Sequence, residues 1–533
     1  MTFIELVTRA EIITQGMREP CAALSLAAFL FWLFKTARSG DKGPEQDKSH
    51  FPWLAAMFVI ACALRLLLYP HHAGQMNDDM YVAQSARAMM DPAFRPINNF
   101  QPPAGWPFIA SLAFWFTGPN QYTLYYLNSL FGCLSVIAAF FLGYGLTGRA
   151  APGLAAAGLL ALHPLHTMWS VCGAGLVPAL FFVIVSLASL FWFFRLHHAH
   201  YIFLCLFSAT MAAQIIAANI LVLLMIPLLI FLLCRELFDA RKVLFHMIAP
   251  TALAVPAALH ELAVRLMSLP PQSATHAIDD TGGLAALAIE NLSREISSVA
   301  QRSDFSLLLI ALAAAGVAMG VKKYGRTISV LVGLFAVCFA IVSFIPLEDI
   351  FRNRFYLYPD LCLLMLSCFL IQALIDNSPK FKLPALALCI IVAAAFSVPR
   401  HTTNLNPANP YFQYGKRMSA AIDKIREDLP EDAVLILEDP APFQAVTGIN
   451  AISPDIALSR APELMERGNI YFFADISTRG MNPAFYDIFS MELESAIPFG
   501  FEQPRLRESG LYKVTAINTG VLTAPQPQPK PGY

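Results

Sequence analysis

Two adjacent carboxylates, Asp78 and Asp79, follow shortly after an apolar run of the chain. A positioned carboxylate can take the proton from a hydroxyl group, and paired carboxylates can hold a divalent metal. Asn77 or Asp78 is also a good N-cap for a helix that we expect to continue through Met90, and a helix dipole favours acidic residues in the first turn. The pattern therefore predicts either a chemically active acid pair or a solvated helix start.

Two arginines, Arg352 and Arg354, lie in a short loop between two apolar runs. Because guanidinium groups bind phosphate in a bidentate manner, a phosphate site is one interpretation. The alternatives are anchoring at lipid headgroups and pairing with the nearby Glu348 and Asp349.

Histidines with acidic neighbours are further candidates for chemistry. Glu261 and Arg265 are spaced i, i+4 on a predicted helix, and we expect them to pair with each other. His260 together with a carboxylate from a loop is a candidate metal site. The pair His71–His72, close to the two aspartates, is another.

Three more polar residues occur inside apolar runs. His163 and His166 flank Pro164, and the role that we expect for them is packing or a hydrogen bond at a helix end. Arg65 lies one turn from the end of its run, where long basic side chains extend toward the membrane interface. We therefore expect Arg65 to reach that interface.

The elements that carry these residues are predicted membrane helices. Of the 533 residues, 57% are hydrophobic and 14% are charged, against about 25% charged residues in typical soluble domains. The mean hydropathy is +0.56. This composition excludes a soluble multidomain enzyme and a disordered chain, and it predicts a polytopic α-helical membrane protein. The net charge of −1 argues against nucleic acid as a partner.

Charged residues are concentrated at the C-terminal end of the chain. Residues 399–533 contain 12 basic and 16 acidic residues, whereas the preceding 398 residues contain 45 charged ones. We therefore predict a transmembrane domain over residues 1–398 and a water-soluble domain over residues 399–533.

A helix needs about 20 mostly apolar residues to cross a bilayer. The sequence predicts about 12 spans, of which the first is short and the pair over 201–234 is broken near Gln214 and Asn219. The predicted spans are 21–35, 51–69, 123–146, 153–169, 176–194, 201–216, 217–234, 243–264, 305–321, 327–345, 355–374 and 383–399.

Basic residues in the short loops orient these spans, because such residues favour the cytoplasmic side. One set of short loops holds 14 basic residues, whereas the opposite set holds nine in much longer loops. We therefore predict that the first set is cytoplasmic. The long loops 70–122 and 265–304 and the tail 399–533 then face outward.

The outward segments have predicted structure of their own. In the loop 70–122, the helix through Met90 is followed by Pro102–Pro103 and by an apolar stretch, Trp106–Phe116, that is too short to span. Two helices lying at the membrane surface are expected there. In the tail, predicted strands alternate with helices, which indicates a small α/β domain. The strands are Ala433–Leu437, Ile470–Ala474 and Leu511–Ile517, and the helices are about 416–428 and Pro454–Arg467.

Together these features resemble the GT-C superfamily of glycosyltransferases that use polyprenyl-phosphate-linked sugars. The nearest parallels are the protein O-mannosyltransferases, the aminoarabinose transferases of lipid A and the galacturonosyltransferases of lipopolysaccharide core. The acidic pair and following tyrosine of that family are matched by Asp78, Asp79 and Tyr81. The small residue and the arginine of the same helix are matched by Ala86 and Arg87. Its Pro-Pro-aromatic surface helix is matched by Pro102–Pro107, which follows Gln101, where aminoarabinose transferases often have a basic residue.

Two further motifs of the superfamily have counterparts in this chain. A helix that ends in His-Pro is matched by Ala161–Pro164. A late Arg-x-Arg-Tyr-x-x-x-Pro element is matched, with Phe355 interposed, by Arg352, Arg354, Tyr356 and Pro359. Where many members carry a second acid, this chain has the segment 172–176, Cys-Gly-Ala-Gly-Leu.

The resemblance implies a GT-C fold and an inverting glycosyltransferase at the outer face of the inner membrane. Its donor would be a sugar linked to polyprenyl phosphate, and its acceptor a lipid, a glycan or a protein. Asp78 and Asp79 would be catalytic, and a divalent metal at this pair stays open. Arg352, Arg354 and Tyr356 would bind the donor phosphate. Tyr81, Gln101, His260 and Glu261 would contact the acceptor or have accessory roles.

Other classes of membrane protein stay open at this level. A transporter or lipid flippase would explain the spans, but it is expected to carry charged or helix-breaking residues near mid-bilayer, for which Gln214 and Asn219 are the only hint. An oligosaccharide polymerase or ligase, or a purely structural role, are the remaining alternatives.

Overall fold

The computed structural model describes residues 3–39, 50–71, 77–91, 102–268, 304–344, 353–378, 382–406, 410–430, 432–437, 440–465, 468–474, 483–496 and 509–518.

Helices account for nearly all of the described chain before residue 407. Eight of the described helices are long and apolar enough to cross a membrane, and three shorter apolar helices accompany them. In chain order the helices are α1 (Phe3–Thr14), α2 (Arg18–Arg38), α3 (Phe51–Cys62, continued by a π-helix Ala63–Leu68), α4 (Asn77–Met90), α5 (Gly105–Thr117), α6 (Gln121–Thr147), α7 (Ala150–Leu162), α8 (Pro164–Ser170), α9 (Leu176–Leu196), α10 (Ala199–Ile215), α11 (Ile220–Leu233), α12 (Ala240–Ser268), α13 (Asp304–Phe344), α14 (Leu357–Asn377) and α15 (Lys382–Asn404).

Most predicted spans correspond to one described helix each. Two of them are the two halves of a single long helix, and one is divided into two consecutive helices. The spans 305–321 and 327–345 are the two halves of α13, which is non-helical at Tyr324 (φ −119°, ψ 20°). A straight helix of its length would measure about 60 Å, roughly twice the hydrocarbon thickness of a bilayer, so Tyr324 separates two spans. The fold is therefore that of a multi-pass α-helical membrane protein, as predicted.

The predicted span 153–169 is interrupted. Its two parts are α7 and α8, and the break falls at His163, which has extended backbone geometry (φ −67°, ψ 112°). The cause is Pro164, which has no N–H group to continue the helical hydrogen bonds and disfavours helical geometry at the preceding residue.

The C-terminal segment forms a small α/β fold around one sheet, as predicted. The sheet has the order β2-β1-β3-β5-β4, with β1 parallel to β2 and β3, and β5 antiparallel to β3 and β4. Its strands are β1 (Val434–Ile436), β2 (Asn450–Ile452), β3 (Ile470–Ala474), β4 (Phe489–Ala496) and β5 (Gly510–Ile517), and its helices are α16 (Pro410–Asp428), α17 (Pro440–Thr447), α18 (Pro454–Ser459), α19 (Ala461–Met465) and α20 (Pro483–Ile488).

Three of the five strands were predicted from the sequence, and two were not. Strands β1 and β3 match because they are apolar and buried along their whole length, and β5 matches because it begins with buried residues and continues with apolar ones at intervals. Strand β2 begins with the exposed Asn450 and has only two buried residues, and β4 lies at the edge with mostly exposed side chains, so neither has a strong apolar pattern. The predicted helix Pro454–Arg467 consists of the two short helices α18 and α19.

The chain divides into two compact units, and neither is a single stretch of sequence. The first unit comprises Met1–His71, Pro102–Ile109 and Tyr125–Asn406, and the second comprises His72–Gln101, Ala110–Leu124 and Pro407–Tyr533. Helix α4, from the loop 70–122, thus belongs to the same unit as the C-terminal sheet. The assignment of a membrane domain to residues 1–398 and a water-soluble domain to 399–533 stays a prediction.

Candidate functional site

The acid pair lies in the first turn of helix α4. The helix runs from Asn77 to Met90, as predicted, so Asp78 and Asp79 are its second and third residues. The side chains of these two aspartates lie outside the described part of the structure. Their place in the first turn favours negative charge, because the helix dipole is positive at this end. Tyr81, one turn further along, is half-buried.

Arg354 and Tyr356 lie in the 3-10 turn Asn353–Tyr356, which leads directly into α14. The Arg354 guanidinium is 5.1 Å from the centroid of the Phe355 ring. Tyr356 is buried, and its ring centroid is 6.3 Å from that of Phe339 on α13. The turn is therefore held by aromatic contacts at the start of a buried helix. Arg352 lies outside the described residues, as does Gln101.

His260 is buried near the end of α12 and contacts the N-terminal helices. Its Nδ1 atom lies 3.0 Å from Nη1 of Arg18 and 3.2 Å from Oε1 of Glu11. When it carries no proton, Nδ1 accepts from the guanidinium, and when protonated it donates to the carboxylate. The accessory role predicted for His260 and Glu261 stays a prediction, as does the Glu261–Arg265 pair, since the Arg265 side chain lies outside the described part.

His71, a second candidate for metal binding, is also engaged within the first unit. Its Nε2 atom lies 3.0 Å from Oγ of Ser129, and its ring stacks on Tyr126 with centroids 4.3 Å apart. His72 lies outside the described residues. Among the side chains that the structure describes, no group of three or more His, Cys, Asp and Glu residues is placed to hold a metal.

The expectation that Arg65 extends to the membrane interface is wrong. Arg65 is fully buried in the first unit, and all five of its N–H donors have acceptors. Nη2 donates to Leu160 O at 3.1 Å and to Nδ1 of His166 at 2.8 Å. The other donors reach Ala161 O at 3.1 Å, Ala61 O at 3.4 Å and Oγ of Ser170 at 3.4 Å.

These acceptors explain why the guanidinium is inside. Pro164 cannot donate to Leu160 O as an ordinary residue would, so the end of α7 presents carbonyl groups that need donors. Arg65 supplies those donors from α3. Burying a polar group without a partner costs about 1–3 kcal/mol, so this arrangement is strongly favoured over leaving the carbonyls bare.

His163 connects the same break in the helix to α14. Its Nδ1 atom accepts the main-chain N–H of His166 at 3.3 Å, which confirms the expected hydrogen bond at a helix end. Its Nε2 atom lies 3.1 Å from Oδ2 of Asp360, and both side chains are buried. Asp360 lies in the first turn of α14, one turn after Tyr356. The break therefore contacts the helix that carries the predicted phosphate-binding turn.

The Pro-Pro-aromatic motif begins helix α5 and is docked in the first unit. Trp106 is buried, and its Nε1 atom donates to Gly173 O at 2.7 Å. An added Cβ at Gly105 would lie 2.7 Å from Gln214 O, so only glycine allows this close approach. The segment that stands where many GT-C members have a second acid thus offers a main-chain carbonyl to the motif's tryptophan.

No protein-family model matches the chain, and no curated protein matches it either. Several solved structures are similar to this chain in fold. ArnT from Cupriavidus metallidurans in the apo state is similar with a TM-score of 0.57 at 11% identity, over 87% of this chain and 97% of that one. The same protein bound to undecaprenyl phosphate gives a TM-score of 0.55 at 11% identity, with the same coverage. The Archaeoglobus fulgidus oligosaccharyltransferase in complex with Zn and sulfate gives 0.51 at 12%, over 80% and 68%.

The chain has the GT-C fold. The resemblance inferred from four short motifs is thereby confirmed at the level of the fold. The similarity covers 87% of this chain at an identity of 11%, so it is a similarity of fold.

Within this GT-C fold, the predicted site residues fall into both units. The acid pair and Tyr81 belong to the second unit, whereas Arg354, Tyr356, His260 and Glu261 belong to the first. Sequence reasoning missed Asp360, whose only signal is a carboxylate within an apolar run. It also missed Gln444, which has no signal in the sequence.

Proposed function

We propose that this protein is an inverting glycosyltransferase that moves a sugar from polyprenyl phosphate to a hydroxyl group of a lipid, glycan or protein acceptor at the outer face of the inner membrane. The observation that carries the proposal is an acid pair in the first turn of a loop helix on a GT-C fold. The ArnT structure with undecaprenyl phosphate supports the donor class.

In the proposed reaction, the acceptor hydroxyl attacks the anomeric carbon of the donor sugar. Asp78 takes the hydroxyl proton as the new C–O bond forms, and a base placed in this way contributes about 10²–10⁴ in rate. The bond between the anomeric carbon and the phosphate oxygen breaks, and the lipid phosphate leaves with its electron pair. Asp79 orients the acceptor, and a metal at the pair would act as a Lewis acid.

The leaving phosphate needs positive charge, which Arg352 and Arg354 supply in this proposal. Removing one preorganised donor to a developing anion typically costs about 3–4 kcal/mol in activation free energy. Tyr356, at the end of the same turn, adds a hydroxyl group. The polyprenyl tail lies between helices, so the phosphate stays at the level of the headgroups.

A transporter or lipid flippase is the alternative, and the residues that hinted at it have another explanation. Gln214 donates to Leu253 O of α12, and Asn219 donates to Ala212 O of α10 at 3.2 Å, so both amides bind main-chain carbonyls of packed helices beside the break between α10 and α11. Arg65 likewise satisfies carbonyls at a helix end. A bundle with kinked helices needs such contacts, because each break leaves main-chain carbonyls without their usual donors. These polar residues therefore do not require a transport function.

The test is mass spectrometry of polyprenyl-phosphate lipids in cells with the gene, in cells without it and in cells with Asp78→Asn. One polyprenyl-phospho-monosaccharide is expected to accumulate in the last two strains, because the donor is still made and no longer consumed. Asp455→Asn is the matched control, since it removes an exposed carboxylate from the first turn of α18 in the same unit.

The outcomes separate the two functions. Accumulation in the deletion and in Asp78→Asn, but not in Asp455→Asn, supports the transferase and identifies its sugar. Normal transfer by Asp78→Asn in folded protein would remove Asp78 from the mechanism. Loss of outward sugar only in the deletion, without accumulation of donor, would favour the transporter.

A further inference from the structure

The helix that carries the acid pair packs on the C-terminal part of the chain. Within the second unit, α4 contacts α17, although more than 300 residues separate them in sequence. One side of α4 is buried through Val82, Ala83 and Ala86, and α17 buries Phe443. These are small or apolar side chains, so the two helices approach closely.

Polar contacts define how α4 sits on α17. Nε2 of Gln84 lies 3.4 Å from Oε1 of Gln444, and both side chains are buried, at 1% and 9% exposure. Nη1 of Arg87 donates to the main-chain carbonyl of Gln444 at 3.1 Å. Gln444 thus accepts hydrogen bonds from two residues of α4, once with its side chain and once with its backbone.

The Arg87 guanidinium lies at the C-terminal end of α17, where the helix dipole is negative and favours a cation. Gly448, directly after that end, has a left-handed backbone (φ +79°), and an added Cβ there would lie 3.0 Å from Nη2 of Arg87. A side chain at position 448 would therefore compete with the guanidinium. Burial lowers the pKa of Arg87, and the nearby Asp91 counteracts this effect.

The contacts hold the second half of α4, whereas the acid pair stands at the opposite end. At 1.5 Å per residue, Asp78 lies roughly 9 Å along the axis from Gln84 and roughly 14 Å from Arg87. A helix of this length transmits a change of direction at one end to the other. A displacement of about 1 Å at a reacting group can reduce a rate by roughly 10².

We propose that Gln84 and Arg87 are positioning residues, which fix the direction of α4, and with it Asp78, by binding Gln444 of the C-terminal part. This inference rests on the proposed transferase function and goes beyond it. It makes the C-terminal α/β segment a structural component of the catalytic centre rather than only a surface for the acceptor.

The experiment measures two quantities on the full-length protein. The first is hydrogen–deuterium exchange of the peptide covering α4, in detergent or nanodiscs without substrate. The second is transfer in membranes, with the polyprenyl-phospho-monosaccharide extracted from the Asp78→Asn cells as donor. The variants are Arg87→Ala, Arg87→Lys and Gln444→Ala, and the control is Arg460→Ala, which removes an exposed arginine of the same unit.

Arg87→Ala is expected to speed exchange of α4 at least tenfold and to lower kcat about 10- to 100-fold, with the KM for donor changed less than twofold. Arg87→Lys, which keeps a donor and the charge, restores part of both. Gln444→Ala retains the carbonyl that Arg87 binds, so its effect is smaller and tests the contact even if Arg87→Ala does not fold. Arg460→Ala behaves as the unmodified protein.

Each deviation has a distinct meaning. Unchanged exchange of α4 in the folded Arg87→Ala protein overturns the inference, and so does faster exchange with normal kcat. If Asp78→Asn is inactive while Arg87→Ala transfers normally, this inference fails and the proposed function stands. If Asp78→Asn itself transfers normally, the base role fails, whatever Arg87→Ala shows.

Discussion

Arg65 in the first unit and Arg87 in the second both bind main-chain carbonyls at the end of another helix, but they differ in burial. Arg65 is completely enclosed and uses every donor on carbonyls, a histidine and a serine. Arg87 is half-buried and reaches the end of α17. The contact of the fully buried Arg65 stabilises the helix bundle, whereas the contact of the half-buried Arg87 sets the direction of one helix.

The two arginines are expected to differ because water can replace the hydrogen bond of one of them but not those of the other. When Arg65 is removed, several carbonyls stay buried away from water, and each costs about 1–3 kcal/mol. When Arg87 is removed, water can reach the carbonyl of Gln444 and the cost falls. Two chemically similar contacts are thus expected to act on different observables, folding for Arg65 and transfer for Arg87.

The largest expected effect is that of Arg65→Ala, which should destabilise the protein by about 3–5 kcal/mol or prevent folding, since it disrupts a buried hydrogen-bond network. Thermal unfolding of the purified protein in detergent measures it. Arg460→Ala is the control. If Arg65→Ala and the control have the same unfolding midpoint, the carbonyls bind other donors. Arg65 would then not differ from Arg87 in its contribution to stability.

An intermediate effect is expected at Asp360. Asp360→Leu leaves Nε2 of His163 buried without its present acceptor, which should cost about 1–3 kcal/mol. Asp360→Asn keeps an oxygen acceptor at the same place, and we expect it to lose less than half as much. Thermal unfolding compares the two variants. Equal losses would mean that the charge of the carboxylate, and not the hydrogen bond, holds α14 to the break.

The smallest effect on stability is expected for Gly448→Ala in the second unit. A Cβ in the left-handed region costs about 1–2 kcal/mol, and here it also displaces Nη2 of Arg87. Exchange of α4 should therefore speed up, while the unfolding midpoint should fall less than it does in Asp360→Leu. Gly468→Ala is the matched control, because an added Cβ there meets nothing within 4 Å. Slower or equal exchange in Gly448→Ala would contradict the role assigned to Arg87.

Much of the fold was predictable because its causes are local. The membrane spans follow from runs of apolar residues, and α4 follows from its polar start at Asn77. Strands β1 and β3 follow from short apolar stretches that are buried in the sheet, and β5 follows from an apolar stretch that is buried at its start. The edge strand β4 was not predicted, because its exposed side chains carry no apolar pattern and its pairing with β5 is a tertiary contact.

For the candidate site, residue types and their order predicted the GT-C fold, which is confirmed, and proposed Asp78 and Arg354 as functional residues, whose roles stay predictions. The partners were not predictable. Nothing near Arg65 in sequence shows that Pro164, about 100 residues later, leaves carbonyls in need of donors, and for that reason the expectation of an interfacial side chain was wrong.

The sequence by itself determined which segments form apolar helices and three of the five strands of the C-terminal sheet, and it supplied the candidate residues for transfer. Only the tertiary structure decided which distant segments meet: α3 with the end of α7, His163 with Asp360, and α4 with α17. Hydrophobic periodicity and helix capping act over a few residues and can be read along the chain. A buried polar group forms its hydrogen bond with whichever residue the packing brings within about 3 Å, and that residue can be far away in the sequence. The partner therefore depends on the complete tertiary structure.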